Sequence, residues 1–240
     1  MSYSKTIRRA KNAIEYEEYH TARYGAPGQA RTKKKKPTPE QMAAVNRYNR
    51  TRKCRWRIRL YFDVCDCFVC LTYRKEERPE NMKAAKEDFR KFLRKLRKVY
   101  KKESKELYWM RNIECGSRGA WHIHLLVNRI ADIDIHLREL WTKGSVKMQL
   151  LYPDGEFRKL AAYITKTPET DSRLKESHYS ASRNMPLPDP EVKVYRKWKT
   201  WGKIRIPAGW YLDKETLQEG INPITGYPYR RYTLIRTRRE

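Results

Sequence analysis

The succession of patterns along this sequence predicts an α+β fold, and three observations carry that reading. Phe68-Val69-Cys70-Leu71-Thr72-Tyr73 is apolar on both faces, as a strand inside a sheet is. Residues 79–103 put Met82, Ala85, Phe89, Phe92, Leu93, Leu96 and Tyr100 at helical spacing. The residues between them are mostly Lys, Arg and Glu, so one face packs on a sheet and the other is basic. Residues 106–128 read as a hairpin, with strands at 107–115 and 120–128 and a turn at 116–119.

The remaining elements follow in chain order. Residues 1–36 are polar and basic and end in Lys33, Lys34, Lys35 and Lys36, which predicts a flexible, loosely packed arm. Thr38-Pro39-Glu40-Gln41 has a capping Thr, Pro in the first position and acid in the first turn, so a short helix is expected over 39–49. Trp56, Ile58 and Leu60 alternate, so 56–73 reads as strand with a turn at 63–66. A helix over 134–142 is capped by Asp132 or Asp134 and ended by Gly144. A strand follows at 146–151, then a turn at Asp154-Gly155. A second short helix covers 157–167, with Leu160, Ala161 and Ile164 as its core stripe and Pro168 as its stop. Beyond it, 204–211 and 229–236 read as strands joined through 222–229. The expected layout is a basic arm and short helix over 1–55, a central domain over 56–185, and a β-rich extension over 186–240 packed on it.

Charge narrows the partner. Lys and Arg outnumber Asp and Glu 55 to 28, giving +27, and the excess is spread along the chain. Self-repulsion on that scale is relieved by a polyanion, which points to nucleic acid. The 17 Tyr and 7 Trp suit a core and also the stacking of unpaired bases. No apolar run approaches the ~20 residues that span a bilayer, so no membrane partner is expected. The first residues lack the apolar core of a signal peptide, and a cytoplasmic protein is the expectation. Five cysteines without a secretion signal are expected as free thiols. Cys67 and Cys70 differ in strand parity, which argues against a zinc cluster. No phosphate-binding loop of the ATPase type occurs, so a fused ATPase is not expected.

The chemistry centres on His122-Ile123-His124. Histidines two apart on a strand face the same way. If Ser117-Arg118-Gly119 forms the loop, with Gly119 left-handed, Glu114 falls opposite His122. All three side chains then share one face; a one-residue slip would break this. Two imidazoles and a carboxylate can hold Mg²⁺ or Mn²⁺ and leave positions open for phosphate and water. Lys159, Tyr163 and Lys166 recur three to four residues apart on the helix that follows. A tyrosine hydroxyl beside a metal can attack phosphorus, and the resulting ester keeps the bond energy for rejoining. Singly, each feature has an ordinary structural reading: a His-x-His pair is weak, a Glu near a turn is a solvated charge, and Tyr163 is one tyrosine of many. Their order in the chain is what points to chemistry.

Three blocks carry a resemblance. Phe68-Val69-Cys70-Leu71-Thr72-Tyr73, then Glu114 with Trp121-His122-Ile123-His124-Leu125-Leu126, then Ala162-Tyr163-Ile164-Thr165-Lys166 resemble the three motifs of the HUH endonucleases. Within that superfamily they are most similar to the rolling-circle replication initiators of bacterial plasmids, integrated elements and small phages. Trp141…Gly144 and Ser182-Arg183 resemble segments flanking the third motif, and the likeness covers about residues 60–185. It implies a central antiparallel sheet with helices packed on it, an HUH/RRM-like arrangement. It implies a divalent metal on His122, His124 and Glu114, with Tyr163 and Lys166 catalytic. The expected activity is metal-dependent nicking and rejoining of single-stranded origin DNA through a 5′-phosphotyrosine. Thr72, Arg118, Lys159 and Arg183, with the lysines at 33–36, are the expected DNA contacts. Single-stranded DNA or an origin hairpin, and the host replication helicase and polymerase, are the expected partners. The chain departs from some relatives in offering one tyrosine in the third motif, and in carrying Cys70.

Rival readings stay open at this point. A single-tyrosine transposase of this class is usually shorter. A relaxase usually carries its tyrosine near its start. A plain nucleic-acid-binding protein would need only the charge and the aromatics, and would show neither metal dependence nor a covalent adduct.

Overall fold

The hairpin in the middle of the chain forms where its turn residues place it. Strands β4 (Trp109–Cys115) and β5 (Trp121–Val127) pair antiparallel, with Glu114 opposite His122 and Asn112 opposite His124. Gly119 has φ +69°, a conformation that glycine adopts without strain. The Gly116 amide donates to the Ala120 carbonyl and the Gly119 amide to the Gly116 carbonyl, each at 2.9 Å. The computed structural model describes residues 2–20, 36–116, 119–151, 157–166, 179–196, 200–222 and 225–237. Two compact units divide the chain: Arg50–Pro186, and Met1–Asn49 together with Leu187–Glu240.

In the first unit, β3 (Cys67–Thr72) pairs with the free side of β5. Strands β6 (Val146–Leu150) and β7 (Tyr179–Ala181) complete an antiparallel sheet ordered β6-β3-β5-β4-β7. Strand parity splits its residues between two faces. Val69, Leu71, Ile113, Ile123 and Leu125 pack against helices α2 (Met82–Lys102) and α3 (Ile133–Leu140). Every apolar residue of the expected α2 stripe is buried, and Asn81 caps the helix by accepting the Ala84 amide at 3.0 Å. On the other face, Met110 and Leu126 pack with Cys54 and Ile58 of α1 (Pro39–Tyr61), Phe62 just beyond it, and Ala161 and Ile164 of α4 (Arg158–Thr165). The α+β class with helices on an antiparallel sheet is therefore what the chain adopts.

One segment corrects the sequence reading. Residues 39–61 form a single helix, where a short helix and the start of a strand were expected. Trp56, Ile58 and Leu60 do alternate, but Leu60 is only half-buried. Cys54, Ile58 and Phe62 recur every four residues, and that spacing meets the apolar face. The strand begins at Cys67. Helix α3 likewise stops at Leu140, short of Gly144.

Gly144 serves a different purpose. A Cβ built there would stand 2.2 Å from the Thr72 carbonyl oxygen, and the Trp141 indole N–H donates to that same oxygen at 2.7 Å. The glycine lets the loop before β6 lie directly on the end of β3. Gly144→Ala is expected to destabilise the fold by about 1–3 kcal/mol. The readout is a lowered melting temperature; an unchanged one would show that the loop simply moves aside.

The second unit corrects the expectation of a loose arm. Residues 3–20 are two paired strands, β1 (Tyr3–Arg9) and β2 (Ala13–His20). They join β8 (Glu191–Tyr195), β9 (Trp210–Ile221) and β10 (Pro228–Arg236) in a sheet ordered β8-β1-β2-β10-β9. The basic composition hid alternating acids. Glu18 is buried and held by Arg230 at 2.6 Å and Lys5 at 3.2 Å. Glu17 is held by Arg231 at 2.8 Å and Arg8 at 3.1 Å. Strand β9 starts at 210, where a strand over 204–211 was expected. Lys33, Lys34 and Lys35 lie outside the described residues, and Lys36 is exposed. Arg230→Met would strand the buried Glu18 carboxylate with Lys5 alone. A loss of about 3–5 kcal/mol is expected in urea unfolding. A loss below about 1 kcal/mol would mean that water or Lys5 serves Glu18 as well.

Candidate active site

The sheet of the Arg50–Pro186 unit brings its polar residues together in registered rows. Lys147 of β6, Cys70 of β3, His124 of β5 and Asn112 of β4 stand side by side on one face. In the next row Thr72, His122 and Glu114 do the same. The row behind, with Phe68, Leu126 and Met110, is apolar and lies against α1 and α4. Ala161 and Ile164 root α4 there, and the Thr165 hydroxyl shares a 2.7 Å hydrogen bond with that of Thr51. This seating leaves Tyr163 over the polar rows.

His124 is the hub. Its Nε2 lies 3.0 Å from the Tyr163 hydroxyl and 3.3 Å from Glu114 Oε2. Its ring stacks on Phe68 at 5.9 Å and meets the Tyr163 ring edge-on at 5.0 Å. Asn112, fully buried, donates its side-chain amide to Glu114 Oε1 at 3.3 Å and fixes the carboxylate from behind. His122 shares the face, with its ring 6.3 Å from that of His124.

Electrostatics follow from these contacts. Burial alone would lower the proton affinity of His124, but hydrogen bonding with Cys70 and Glu114 outweighs it and lifts the pKa to about 9. Burial and the His124 charge lower that of His122. The His124 hydrogen bond holds the Glu114 carboxyl below the usual range against its burial, helped by the charges of His124, Lys166 and His122. Burial, Glu114 and Cys70 raise the Tyr163 phenol. Tyr163 is nonetheless 39% exposed, so a substrate can reach it.

Lys166 is exposed immediately after α4, and Lys159 is exposed on α4 itself. Arg183 is exposed beyond β7, whereas Arg118 lies outside the described residues. Thr72 is tied down: its hydroxyl shares a 2.7 Å hydrogen bond with the Ser145 hydroxyl and accepts the Ser145 amide at 3.1 Å. Of the other tyrosines near the third motif, Tyr152 lies outside the described residues. The Tyr179 hydroxyl is buried, and burial together with Cys54 raises its pKa. Sequence reasoning passed over Asn112, Cys70 and Lys147 as site residues. Asn112 was within reach, since it sits two before Glu114 on the same strand.

The donor set suits a hard divalent cation, with two imidazoles and an ionised carboxylate on one face and His124 Nε2 turned toward Glu114. Among the described residues, no three His, Cys, Asp or Glu side chains close around a single point. Glu114 and His124 meet, and the His122 ring stands off from them. The five cysteines are free thiols and form no cluster of that kind.

An antiparallel sheet with paired histidines on one strand, a carboxylate opposite and a helix-borne tyrosine above them belongs with proteins that act in DNA replication. Residues 66–168 match the replication-associated protein family typified by ORF2, and this segment, which holds both histidines, Glu114 and Tyr163, makes the chain a rolling-circle replication-associated protein. No curated protein and no solved structure matches the chain. Among the described residues, no helix is long and apolar enough to cross a membrane.

Proposed function

We propose that this protein initiates rolling-circle replication by nicking and rejoining single-stranded origin DNA, as HUH endonucleases do, with Tyr163 as nucleophile. The observation that carries the reading is the Tyr163 hydroxyl, accessible and 3.0 Å from His124 Nε2, over a face that also presents Glu114 and His122. Attack by the Tyr163 oxygen on phosphorus forms the O–P bond and breaks the bond to the 3′ oxygen. The phenolic proton is given up, and the departing oxygen takes one up. The strand is left with a free 3′-hydroxyl and with its 5′ phosphate on Tyr163. Return attack by a 3′-hydroxyl reverses the step without consuming a nucleotide. His122, His124 and Glu114 would hold Mg²⁺ or Mn²⁺, which supplies positive charge to the non-bridging oxygens when bound. Lys166 offsets phosphate charge from the rim, and Lys159, Lys147 and Arg183 are exposed to guide the strand. The free 3′ end is the start for the host polymerase, with its helicase opening the duplex ahead.

The test is incubation with Mn²⁺ and a pool of single-stranded oligonucleotides, followed by denaturing electrophoresis. A denaturant-resistant protein–DNA adduct is expected. Its absence across the pool would favour binding without chemistry. Binding should also weaken steeply with salt, by ~0.7 in log–log slope for each neutralised phosphate of a single strand. A slope near zero would remove the phosphate backbone as the main contact.

A further inference from the structure

The face of the sheet opposite Tyr163 carries its own charge. Helix α2 covers that face and packs only its apolar stripe against it. From Arg90 to Lys102, every exposed residue is Lys or Arg. At 1.5 Å per residue this basic surface runs for about 18 Å. Among the described residues, the one ion pair on it joins Arg90 to Glu87 at 2.9 Å. A solvated helix face would normally interleave acids three or four residues away. The helix dipole favours cations in the last turn, which accounts for Lys101 and Lys102 but not for Arg90 through Lys98. The charge is left to repel itself unless a polyanion meets it.

We propose that the outer face of α2 binds the backbone of duplex DNA while the opposite face of the sheet works on a single strand. Duplex is favoured over single strand by what the helix lacks. Its aromatics, Phe89, Phe92 and Tyr100, are all buried, so it offers no platform for stacking unpaired bases. A straight row of cations suits the regular charge of a duplex, roughly ten phosphates over about 18 Å. Contacts of this kind ignore sequence and fix position. The origin would then be held by its duplex flank on one side of the sheet and cut in its unpaired stretch on the other. This rests on DNA being the partner in the proposed function, and the experiment separates the two.

Lys91→Gln, Arg94→Gln, Lys95→Gln and Lys98→Gln are combined in one variant, since Gln keeps the helix and removes only charge. The full chain and the variant are titrated with a labelled duplex of arbitrary sequence over a range of salt. Adduct formation on a short single strand is measured at saturating protein, and circular dichroism reports the fold. The expected result is duplex binding at least roughly tenfold weaker at about 0.1 M salt, with the log–log slope shallower by about 2–4. Adduct yield should be unchanged. Equal loss of duplex and single-strand binding would overturn the proposal, because α2 would then serve the catalytic strand. Unchanged duplex affinity and slope would also overturn it and leave an acidic protein as the partner of this face. Failure of the unmodified protein to form any adduct would count against the nicking reading alone.

Discussion

Tyr163→Phe is expected to leave the protein folded and bound to DNA while nicking and the covalent adduct both disappear. The change removes one oxygen. The ring contacts with Phe68 and His124 do not depend on it. The lost hydrogen bond to His124 is worth about 0.5–1.5 kcal/mol at most, less at a site 39% exposed. The chemistry has no such margin, because the attacking atom itself is gone. The check is the adduct assay beside a DNA-binding titration. An adduct formed by Tyr163→Phe at the unmodified rate would move the nucleophile elsewhere. Tyr179→Phe serves as control: its hydroxyl is buried, so removing it should leave the adduct intact.

Removing divalent metal is expected to have the next largest effect. Chelation should stop nicking, and added Mn²⁺ should restore it. His122→Ala should lower the rate by roughly 10²–10³-fold, the usual cost of losing charge stabilisation at a reacting oxygen. Calorimetric titration with Mn²⁺ gives a second readout that needs no DNA. Binding should weaken in His122→Ala and in Glu114→Gln, and persist in Tyr163→Phe. Nicking that survives chelation would show that the histidines act on phosphate directly.

The parts of this site legible from sequence are those set by local geometry. A left-handed Gly119 fixes the hairpin register, and that alone puts Glu114 across from His122. Helical spacing gave the buried stripe of α2 without tertiary information. What stayed hidden depends on pairing between distant segments. Cys70 and Lys147 stand beside His124 only because β3 pairs with β5 at one register and with β6 at another. No local pattern encodes either choice. The misread of 56–60 has a different cause, since a short stretch satisfied both a period of two and a period of four. The tertiary surface it meets selects the second. In residues 3–20, charge obscured alternation: the acids of β2 read as a minority in a basic chain until Arg230 and Arg231 were seen to meet them.

That last pairing bears on how the chain is made. Glu18 and its partner Arg230 are separated by 212 positions. At about 5–20 residues per second, a ribosome takes on the order of ten to forty seconds to cover that distance. The hairpin of β1 and β2 closes through local contacts, but Glu18 then waits in water for its arginine. Residues 50–186 emerge in that interval with all their sheet partners already synthesised, so the part bearing Tyr163 can finish folding first. The other sheet is sealed last, by strand β10.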